Sequence, residues 1–454
     1  MKLATTGILS VMALGFSLSA LAAERLHPTN LFIKMKQGES LVSSPLIKSS
    51  KKLIGNIYLV KATDAAALAK SLQKSASVEY VERDSYSDKK ELPKLEPFDP
   101  MSVQLKAMLN QDFNFSRFND PQVGKLWAFS AGNGMDVAGA YSALPNRTAE
   151  EIIVAVVDTG VDHTHEDLRD VMWSNAGEIP GNGKDDDANG YVDDIHGINT
   201  LVRDAQGNAT MNTQASHWHG THVAGTIAAT QNNGVGIAGV ASNVKIMAIR
   251  TVPDSSDELD SDIVEGFIYA AKHGAKVINC SFGKAKNEGG MVVRDTINEI
   301  GKKYGVLVVA SAGNDSMGPF NWHNNDTSAK YPASFDSENL LTIASTTSSG
   351  GLSSFTNVGA VTVDVAAPGS TILSTVPGNK YNNASGTSMA APNASGVAAM
   401  VFGFYPNLGP VELKKALMDS VVKVPAYAGK MVSGGRLNLK QALDRAAKLR
   451  RIRR

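Results

Sequence analysis

The fold of this chain is indicated most directly by residues 151–158, EIIVAVVD. Ile152 to Val157 form an unbroken apolar run, and Asp158 ends it. A strand that is apolar on both sides is typical of a parallel sheet covered by helices on its two faces. Similar apolar runs recur later in the chain, at 244–249, 276–280, 305–310 and 340–344. Helical patterns lie between them, at 260–273 and 292–304, so the alternation predicts an α/β fold with a mainly parallel central sheet.

The composition is that of a globular chain without a strong overall charge. The 454 residues include 43% hydrophobic residues and 41 glycines, and this length allows more than one domain. The 44 basic and 44 acidic residues cancel, which argues against a nucleic-acid partner. Cys280 is the single cysteine, so an intramolecular disulfide is excluded, and we expect it to fill a small space in the core.

Residues 1–22 predict a signal peptide. Lys2 precedes an apolar segment at 8–21, and the sequence Ala-Leu-Ala at 20–22 predicts cleavage after Ala22. The sequence after it is never apolar for long enough to predict a transmembrane helix. We therefore expect a secreted protein, periplasmic or extracellular, that is stabilised by a large core or by bound metal ions rather than by disulfides.

Residues 23–115 predict a small α+β unit with a linker after it. Strands are expected at 31–35, 56–60 and 78–82, with a helix at 64–74. From Asp84 to Asp112 the sequence is polar and contains prolines, which predicts an exposed linker open to proteolysis. At the other end of the chain, residues 447–454 form a basic tail that we expect to be solvated.

Four polar residues stand where an α/β sheet places functional side chains, at the carboxyl ends of strands or at the start of a helix. They are Asp158, His219, Asn314 and Ser388. Together they offer a nucleophilic serine, a base, an acid that orients the base, and an amide that could stabilise an oxyanion. The combination is much more specific than any one of the four residues.

Each of these residues also has a simpler structural interpretation. Ser388 precedes a run of small residues that predicts a helix, so it could serve only as a cap. Asp158 and Asn314 could stabilise turns. His219 and His222 are three residues apart and could bind a metal on one helix face, but no third ligand is evident, and His222 is expected to pack within its helix.

Four motifs resemble those of the subtilisin family of serine proteases. The matching segments are VDTGVD at 157–162, HGTHVAGT at 219–226, SAGN at 311–314 and GTSMAAP at 386–392. The order Asp, His, Ser is also that of subtilisin. The resemblance extends from about residue 118 to residue 442. It implies a three-layer subtilisin-like fold for a peptidase domain at 116–446.

The resemblance implies a role for each of the four polar residues. Ser388 would be the nucleophile, His219 the general base, and Asp158 the residue that orients the histidine. Asn314 would bind the oxyanion together with the Ser388 backbone N–H. The protein would then be a serine endopeptidase that cleaves proteins and peptides through an acyl-enzyme.

The same resemblance extends to substrate binding and to the N-terminal unit. Ser281, Phe282 and Gly283 are similar to the strand that pairs with the substrate backbone in this family. Residues 31–84 resemble its propeptide, which assists folding and blocks the cleft as an intramolecular inhibitor, and residues 23–115 would be this propeptide with its linker. We therefore expect a monomeric zymogen that cuts itself within about residues 85–116. An ordinary N-terminal domain that stays attached is the alternative.

An acidic segment at 185–194, DDDANGYVDD, predicts a calcium site. Asp185, Asp187 and Asn189 place oxygen ligands at every second residue, and Gly190 permits a sharp turn. This copies the first half of an EF-hand loop.

The second half of the acidic segment departs from that loop. The twelfth position, where an EF-hand has a glutamate, is His196. Asp193 or Asp194 is expected to substitute, and we include Tyr191 and Asp194 in the ligand set. A solvated acidic loop without a metal is the alternative.

A second calcium site is implied by resemblance to the family. Asp167 and Asn233 belong to segments similar to parts of its calcium site. Structural Ca²⁺ at either place would stabilise a chain that lacks disulfides.

Two other functions are compatible with a protease-like sequence. One is a binding protein on a catalytically dead scaffold, and the occupation of all four catalytic positions argues against it. The other is an enzyme whose only substrate is its own propeptide.

Overall fold

The structure is a computed structural model that describes residues 24–87, 94–96, 117–145, 148–254, 258–285, 290–318 and 321–452. Within these ranges the chain forms a small N-terminal unit and a larger unit, each with its own main sheet. The predicted signal peptide at 1–22 lies outside the described residues.

The N-terminal unit is a four-stranded antiparallel sheet with one helix packed against it. Its elements are β1 (Glu24–Met35), β2 (Ile47–Lys52), β3 (Ile57–Ala62), α1 (Ala65–Leu72) and β4 (Val78–Ser87). The sheet order is β2-β3-β1-β4. The Asp64 carboxylate accepts the N–H of Ala67 and caps α1, and Leu68 of α1 packs with Leu31 and Val60 in a separate apolar core. This matches the α+β unit expected from the sequence.

Strand β4 extends beyond the strand that the sequence predicts. It continues to Ser87, and Asp84 and Ser85 are fully buried, so the prediction that an exposed linker begins at Asp84 is wrong. The reason is that both residues bond to the start of a helix in the larger unit, at Asp260 and Ser261. Most of the remaining predicted linker lies outside the described residues.

The larger unit is organised around a ten-stranded sheet. Its strands are β5 (Ile152–Asp158), β6 (Gly197–Arg203), β7 (Ala209–Thr210), β8 (Val244–Arg250), β9 (Ala275–Cys280), β10 (Leu307–Ser311), β11 (Leu340–Thr346), β12 (Val365–Pro368), β15 (Val422–Lys423) and β16 (Gly435–Arg436). The order is β15-β16-β12-β11-β10-β9-β5-β8-β6-β7, and only the outermost pairs β15–β16 and β6–β7 are antiparallel. The hairpin of β13 (Ile372–Val376) and β14 (Lys380–Ala384) forms a separate small sheet.

Helices cover both faces of this sheet. They are α2 (Val137–Ser142), α3 (Trp218–Ala228), α4 (Asp260–Lys272), α5 (Val292–Tyr304), α6 (Thr387–Phe404), α7 (Pro410–Asp419) and α8 (Leu439–Ile452). Val154 and Val156 of β5 join the core that contains α3 and α6, whereas Ala155 and Val157 join the core that contains α4 and α5. Because β5 is buried on both faces, its sequence is continuously apolar, and the predicted three-layer α/β architecture is confirmed.

Helix α6 runs through the interior and is buried over all 18 residues. Its small residues permit this close packing: a Cβ added to Gly396 would lie 2.6 Å from the Cβ of Val240. The helix packs against β9, β10 and β11, and its first turn carries Ser388. The expected helix start at Ser388 is therefore confirmed.

The C-terminal helix α8 continues to Ile452, so the predicted domain boundary at residue 446 falls inside a helix. Within the described ranges, every helix is too short or too polar to cross a membrane.

Candidate active site

Asp158 and His219 form a buried pair at the carboxyl end of β5. The Nδ1–H of His219 donates to Asp158 Oδ1 at 2.8 Å and lies 3.0 Å from Oδ2. Both side chains are at most 2% exposed. His219 is the second residue of α3, so the start of that helix brings the ring to the end of the strand. A carboxylate at Nδ1 leaves Nε2 as the proton-accepting nitrogen of a neutral imidazole.

Ser388 lies in the first turn of α6 and is buried. Its Oγ–H donates to the backbone carbonyl of Ser281 at 3.0 Å. His219 Nε2 is buried and has no hydrogen-bond partner in the described part of the chain. The Ser388 hydroxyl is therefore held by a backbone carbonyl, while the acceptor position of His219 Nε2 is unused within the described ranges.

Asn314 follows β10, and its side chain faces the first turn of α6. Its Oδ1 accepts the backbone N–H of Thr387 at 2.8 Å and the Thr387 hydroxyl at 2.9 Å. These two bonds fix the orientation of the amide and leave Nδ2 as its remaining donor. Because Asn314 is exposed, this donor can serve an oxyanion that forms beside Ser388.

Residues 281–283 follow β9 directly. Ser281 and Phe282 are buried and Gly283 is exposed. Gly283 passes close to another segment, because a Cβ there would lie 2.9 Å from the carbonyl oxygen of Tyr331. Phe282 borders a small open pocket that is lined mainly by apolar side chains, together with Glu258, Asp260 and Lys284.

This constellation can be compared with known proteins. Residues 149–443 match the sequence model of the subtilase family. The chain belongs to the subtilase family of serine proteases. An extracellular protease of Xanthomonas campestris pv. campestris is 30% identical over 442 residues, which cover 90% of this chain and 70% of that protein. A thermophilic serine proteinase of Bacillus sp. (strain AK1) is 35% identical over 299 residues, covering 66% and 63% respectively.

A solved structure supports the fold of this subtilase over most of its length. Fervidolysin from Fervidobacterium pennivorans, described as a keratinolytic enzyme related to subtilisin, superposes with a TM-score of 0.62 at 23% identity. The alignment covers 92% of this chain and 61% of fervidolysin. The chain spans 58% of the length of subtilisin-like protease 1 from Plasmodium berghei and 44% of that from Plasmodium falciparum.

His222 of the subtilase packs inside the fold, as expected, and its ring is fully buried. Its Nε2–H donates to the carbonyls of Ile372 at 2.9 Å and Asn382 at 3.2 Å. Burial lowers the pKa of His222 to about 3, so the ring stays neutral. His219 bonds to Asp158, and each histidine therefore uses a ring nitrogen for a protein acceptor.

The predicted acidic segment contributes Asp187 and Asp194 to a group of converging carboxylates. Their partner is Glu178, and carboxylate oxygens of the three residues lie within 4.8 Å of one another. Glu178 and Asp194 are buried, and Asp187 is exposed. Three converging carboxylates repel one another unless a cation neutralises them, and such oxygen donors suit Ca²⁺.

The other predicted ligands of this segment point elsewhere or support the loop. The Asp185 carboxylate accepts the N–H groups of Asn189 and Gly190 and so stabilises its own turn. The Asn189 amide donates to Asp187 and Asp194. The Tyr191 hydroxyl donates to Glu265 at 2.9 Å, so it already bonds to a carboxylate outside the group of three.

Glu178 is a residue that the sequence pattern did not reveal. It precedes the acidic segment and lies outside the alternating spacing of an EF-hand loop. Its carboxylate accepts the N–H groups of Asp186, Asp187 and Asp193, so the backbone of the acidic segment is wrapped around the Glu178 side chain. The sequence signal that could have identified Glu178 as a further ligand is its position as a single glutamate before the acidic segment.

Asp167 and Asn233, the second predicted calcium pair, do lie together. The Asn233 amide donates to Asp167 Oδ1 at 2.8 Å, and the N–H of Ile237 donates to Oδ2 at 3.0 Å. Burial raises the pKa of Asp167 to about 6. Asp120 lies nearby and accepts the N–H groups of Asn232 and Asn233.

Proposed function

We propose that this subtilase is a secreted serine endopeptidase that is made as a self-processed zymogen. The observation that carries the proposal is the buried Asp158–His219 pair at one end of the sheet where Ser388 and Asn314 also stand. An imidazole whose Nδ1–H is held by a carboxylate and whose Nε2 has no partner in the described residues is suited to acyl transfer when a serine at a helix start lies at the same end of the sheet.

In the proposed reaction, His219 Nε2 accepts the Ser388 proton as Oγ attacks the carbonyl carbon of the substrate. Asp158 holds the Nδ1–H and stabilises the imidazolium that forms. Asn314 Nδ2 and the Ser388 N–H donate to the oxyanion. The imidazolium then protonates the leaving amine, and water repeats the sequence on the acyl-enzyme to release the new carboxylate.

Protein and peptide substrates would bind as an added strand along residues 281–283. Gly283 is exposed, and its main chain is accessible to such a strand. The Ser281 carbonyl holds the Ser388 hydroxyl at rest, so this segment lies directly against the nucleophile.

The N-terminal unit is proposed to be the propeptide and the intramolecular inhibitor, within residues 23–115. Two carboxylates of β4 support this. Glu82 Oε2 accepts the N–H groups of Met291 and Val292 at the start of α5. Asp84 Oδ1 accepts the N–H of Ser261 in the first turn of α4. Carboxyl oxygens at helix N-termini satisfy N–H groups that are otherwise unpaired.

Further contacts join the N-terminal unit to the segment after the proposed substrate strand and to the residues that precede Ser388 in the sequence. The Lys284 ammonium, just beyond the proposed substrate segment, donates to the Ser85 carbonyl at 3.0 Å. The N–H of Glu96 donates to the Asn383 carbonyl at 3.0 Å, and the Ser385 hydroxyl donates to the Glu96 carboxylate. These contacts support a unit that blocks the cleft. The proposed self-cleavage region, 85–116, lies mostly outside the described residues.

Ca²⁺ is proposed as a structural ion in the loop that contains Glu178, Asp187 and Asp194. The convergence of three carboxylates supports this position. A second ion between Asp167 and Asn233 is proposed with fewer ligands, because the side chains already bond to each other.

Secretion is proposed from the predicted signal peptide at 1–22. The names of the relatives from Xanthomonas campestris and Dichelobacter nodosus, an extracellular protease and an extracellular basic protease, support it. We propose that the processed enzyme acts as a monomer.

Casein hydrolysis by the purified protein tests the central proposal. We expect hydrolysis by the parent, a new N-terminus within 85–116, and labelling of Ser388 by a fluorophosphonate probe. Ser388→Ala should abolish all three. Self-cleavage without casein hydrolysis would restrict the enzyme to its own propeptide, and absence of labelling in the parent would favour a binding protein.

A further inference from the structure

A line of buried polar side chains connects the proposed nucleophile to the middle of α6. Ser395 Oγ donates to Asn279 Oδ1 at 2.9 Å, and Asn279 Nδ2 donates to Ser281 Oγ at 2.9 Å. Ser281 Oγ in turn donates to the Ser388 carbonyl at 2.9 Å. All four residues are at most 5% exposed, so water does not compete for these bonds.

The geometry of α6 and β9 explains how the line of hydrogen bonds starts and ends on the same helix. Ser388 and Ser395 are seven residues apart on α6, which puts them on one face two turns apart. Asn279 and Ser281 are two residues apart along β9 and its extension, so their side chains point the same way. Each strand residue therefore bonds to one helix residue: Ser281 bonds to Ser388, and Asn279 bonds to Ser395.

The donors in this line have a fixed direction. The hydroxyl of Ser395 donates to Asn279 Oδ1, which orients the amide so that Nδ2 meets Ser281 Oγ. An amide nitrogen can only donate, so the Ser281 hydroxyl must turn its own proton to the Ser388 carbonyl. Ser281 thus contacts Ser388 twice, through its hydroxyl and through its backbone carbonyl.

We propose that Asn279, Ser281 and Ser395 are positioning residues that hold Ser388 in register for attack. Asn279 and Ser395 act through Ser281, and the Ser281 side chain fixes the main chain of the nucleophile. This role is separate from the proposed binding of substrate by the Ser281 backbone. The inference rests on the proposed serine peptidase function, because positioning has meaning only for a nucleophilic Ser388.

Ser281→Ala tests the line without touching the backbone groups that would bind substrate. We expect kcat on a chromogenic peptide to fall about tenfold, as for loss of one directional hydrogen bond, while KM changes by less than about twofold. Titration of active sites with a fluorophosphonate corrects for inactive protein. Ser420→Ala is the matched control, because that hydroxyl is also buried but bonds to Leu417 in α7.

Asn279→Asp tests the direction of the line through a pH profile. A protonated carboxyl can donate to Ser281 Oγ as the amide does, but a carboxylate can only accept and would turn the Ser281 proton away from Ser388. We therefore expect the ratio of variant to parent kcat to fall as the pH rises. A role in stability alone would lower the melting temperature without this change in the kcat ratio.

The outcomes separate this inference from the proposed function. A parent protein that neither hydrolyses casein nor binds the fluorophosphonate would overturn both. An active parent with parental kcat in Ser281→Ala would overturn the positioning role alone. In Asn279→Asp, a constant kcat ratio would overturn the assigned direction. If that variant fails to fold, Ser281→Ala decides.

Discussion

The candidate active site and the interface with the N-terminal unit both depend on buried polar contacts, but these contacts differ in chemistry. Around Ser388 the contacts are mostly neutral, through hydroxyl, amide and backbone groups, and Asp158 is the acid that bonds to His219. At the interface, Glu82, Asp84 and Asp260 lie near the Lys284 ammonium. Neutral contacts keep their strength over a wide pH range, whereas clustered carboxylates make association depend on protonation.

The largest expected effect is on the active-site side of this comparison. Asp158→Asn should lower kcat by about 10⁴-fold, because an amide cannot hold the His219 tautomer that leaves Nε2 as the base. Fluorophosphonate labelling and peptide hydrolysis measure this effect. The fold should remain, as checked by circular dichroism, because the amide fits the same space.

Asp170→Asn is the matched control for that substitution, since Asp170 is an exposed residue in the same unit. A kcat within tenfold of the parent in Asp158→Asn would contradict the assigned role of Asp158.

The next effect concerns the charged interface. Asp84 accepts the Ser261 N–H at Oδ1 and the Asn30 amide at Oδ2, so Asp84→Asn has to turn an N–H toward one of these two donors. We expect the cleaved N-terminal unit of this variant to dissociate about tenfold more readily. Gel filtration of the processed protein, inactivated with fluorophosphonate to prevent digestion, measures dissociation. Asp64→Asn changes a helix cap in the same unit and serves as the control, because asparagine caps equally well.

A pH effect should distinguish the two regions further. Burial, with Asp260 nearby, raises the pKa of Glu82 to about 8, compared with an ordinary value of 4.5. A carboxyl with a raised pKa in the complex supports association below its ordinary value and loses this contribution as the pH rises toward 8. The N-terminal unit should therefore dissociate more readily at pH 8 to 9 than at pH 5, as followed by gel filtration.

Glu82→Gln should remove most of this pH dependence, because glutamine remains neutral. Glu39→Gln, which alters an exposed glutamate of the same unit, should keep it. Tighter binding of the unit at the higher pH would show that Glu82 is ionised in the complex.

The smallest effect is expected at the acidic loop, where charge is concentrated within the peptidase itself. Ca²⁺ in large excess over its dissociation constant should raise the melting temperature by several degrees relative to EDTA. Asp194→Asn should remove most of that difference. Asp185→Asn is the control, because Asp185 stabilises its own turn outside the three carboxylates. Equal melting temperatures with Ca²⁺ and with EDTA would contradict a calcium site.

The strands of the central sheet were predictable because a strand that is buried on both faces has a continuously apolar sequence. β5, β8 and β9 illustrate this, since their buried cores follow the runs that predict them. β2 was not predicted, because its residues 47–52, IKSSKK, are mostly exposed and carry no apolar alternation.

The motifs that carry the candidate catalytic residues were predictable, but the buried residues that hold them in place were not. Asp158 and His219 are 61 residues apart, and the resemblance of their motifs to a family predicts that they pair. The contact of Asn279 with Ser395 spans 116 residues and has no local pattern. The burial of Asp84 likewise depends on Ser261 in a distant helix. Such partners follow from packing, and single-sequence periodicity does not report them.

The complete burial of α6 has a consequence for survival in the presence of active copies of the same enzyme. A peptidase can cut only chain segments that leave the fold, and α6 is enclosed by strands and helices on every side. The amides in the middle of the helix, such as that of Val397, should exchange with solvent only in the most extensive opening events, so their exchange would report whole-domain unfolding. The lifetime of the enzyme against self-digestion would then be set by how rarely the domain opens, and the residue that cuts would be among the last to become a target.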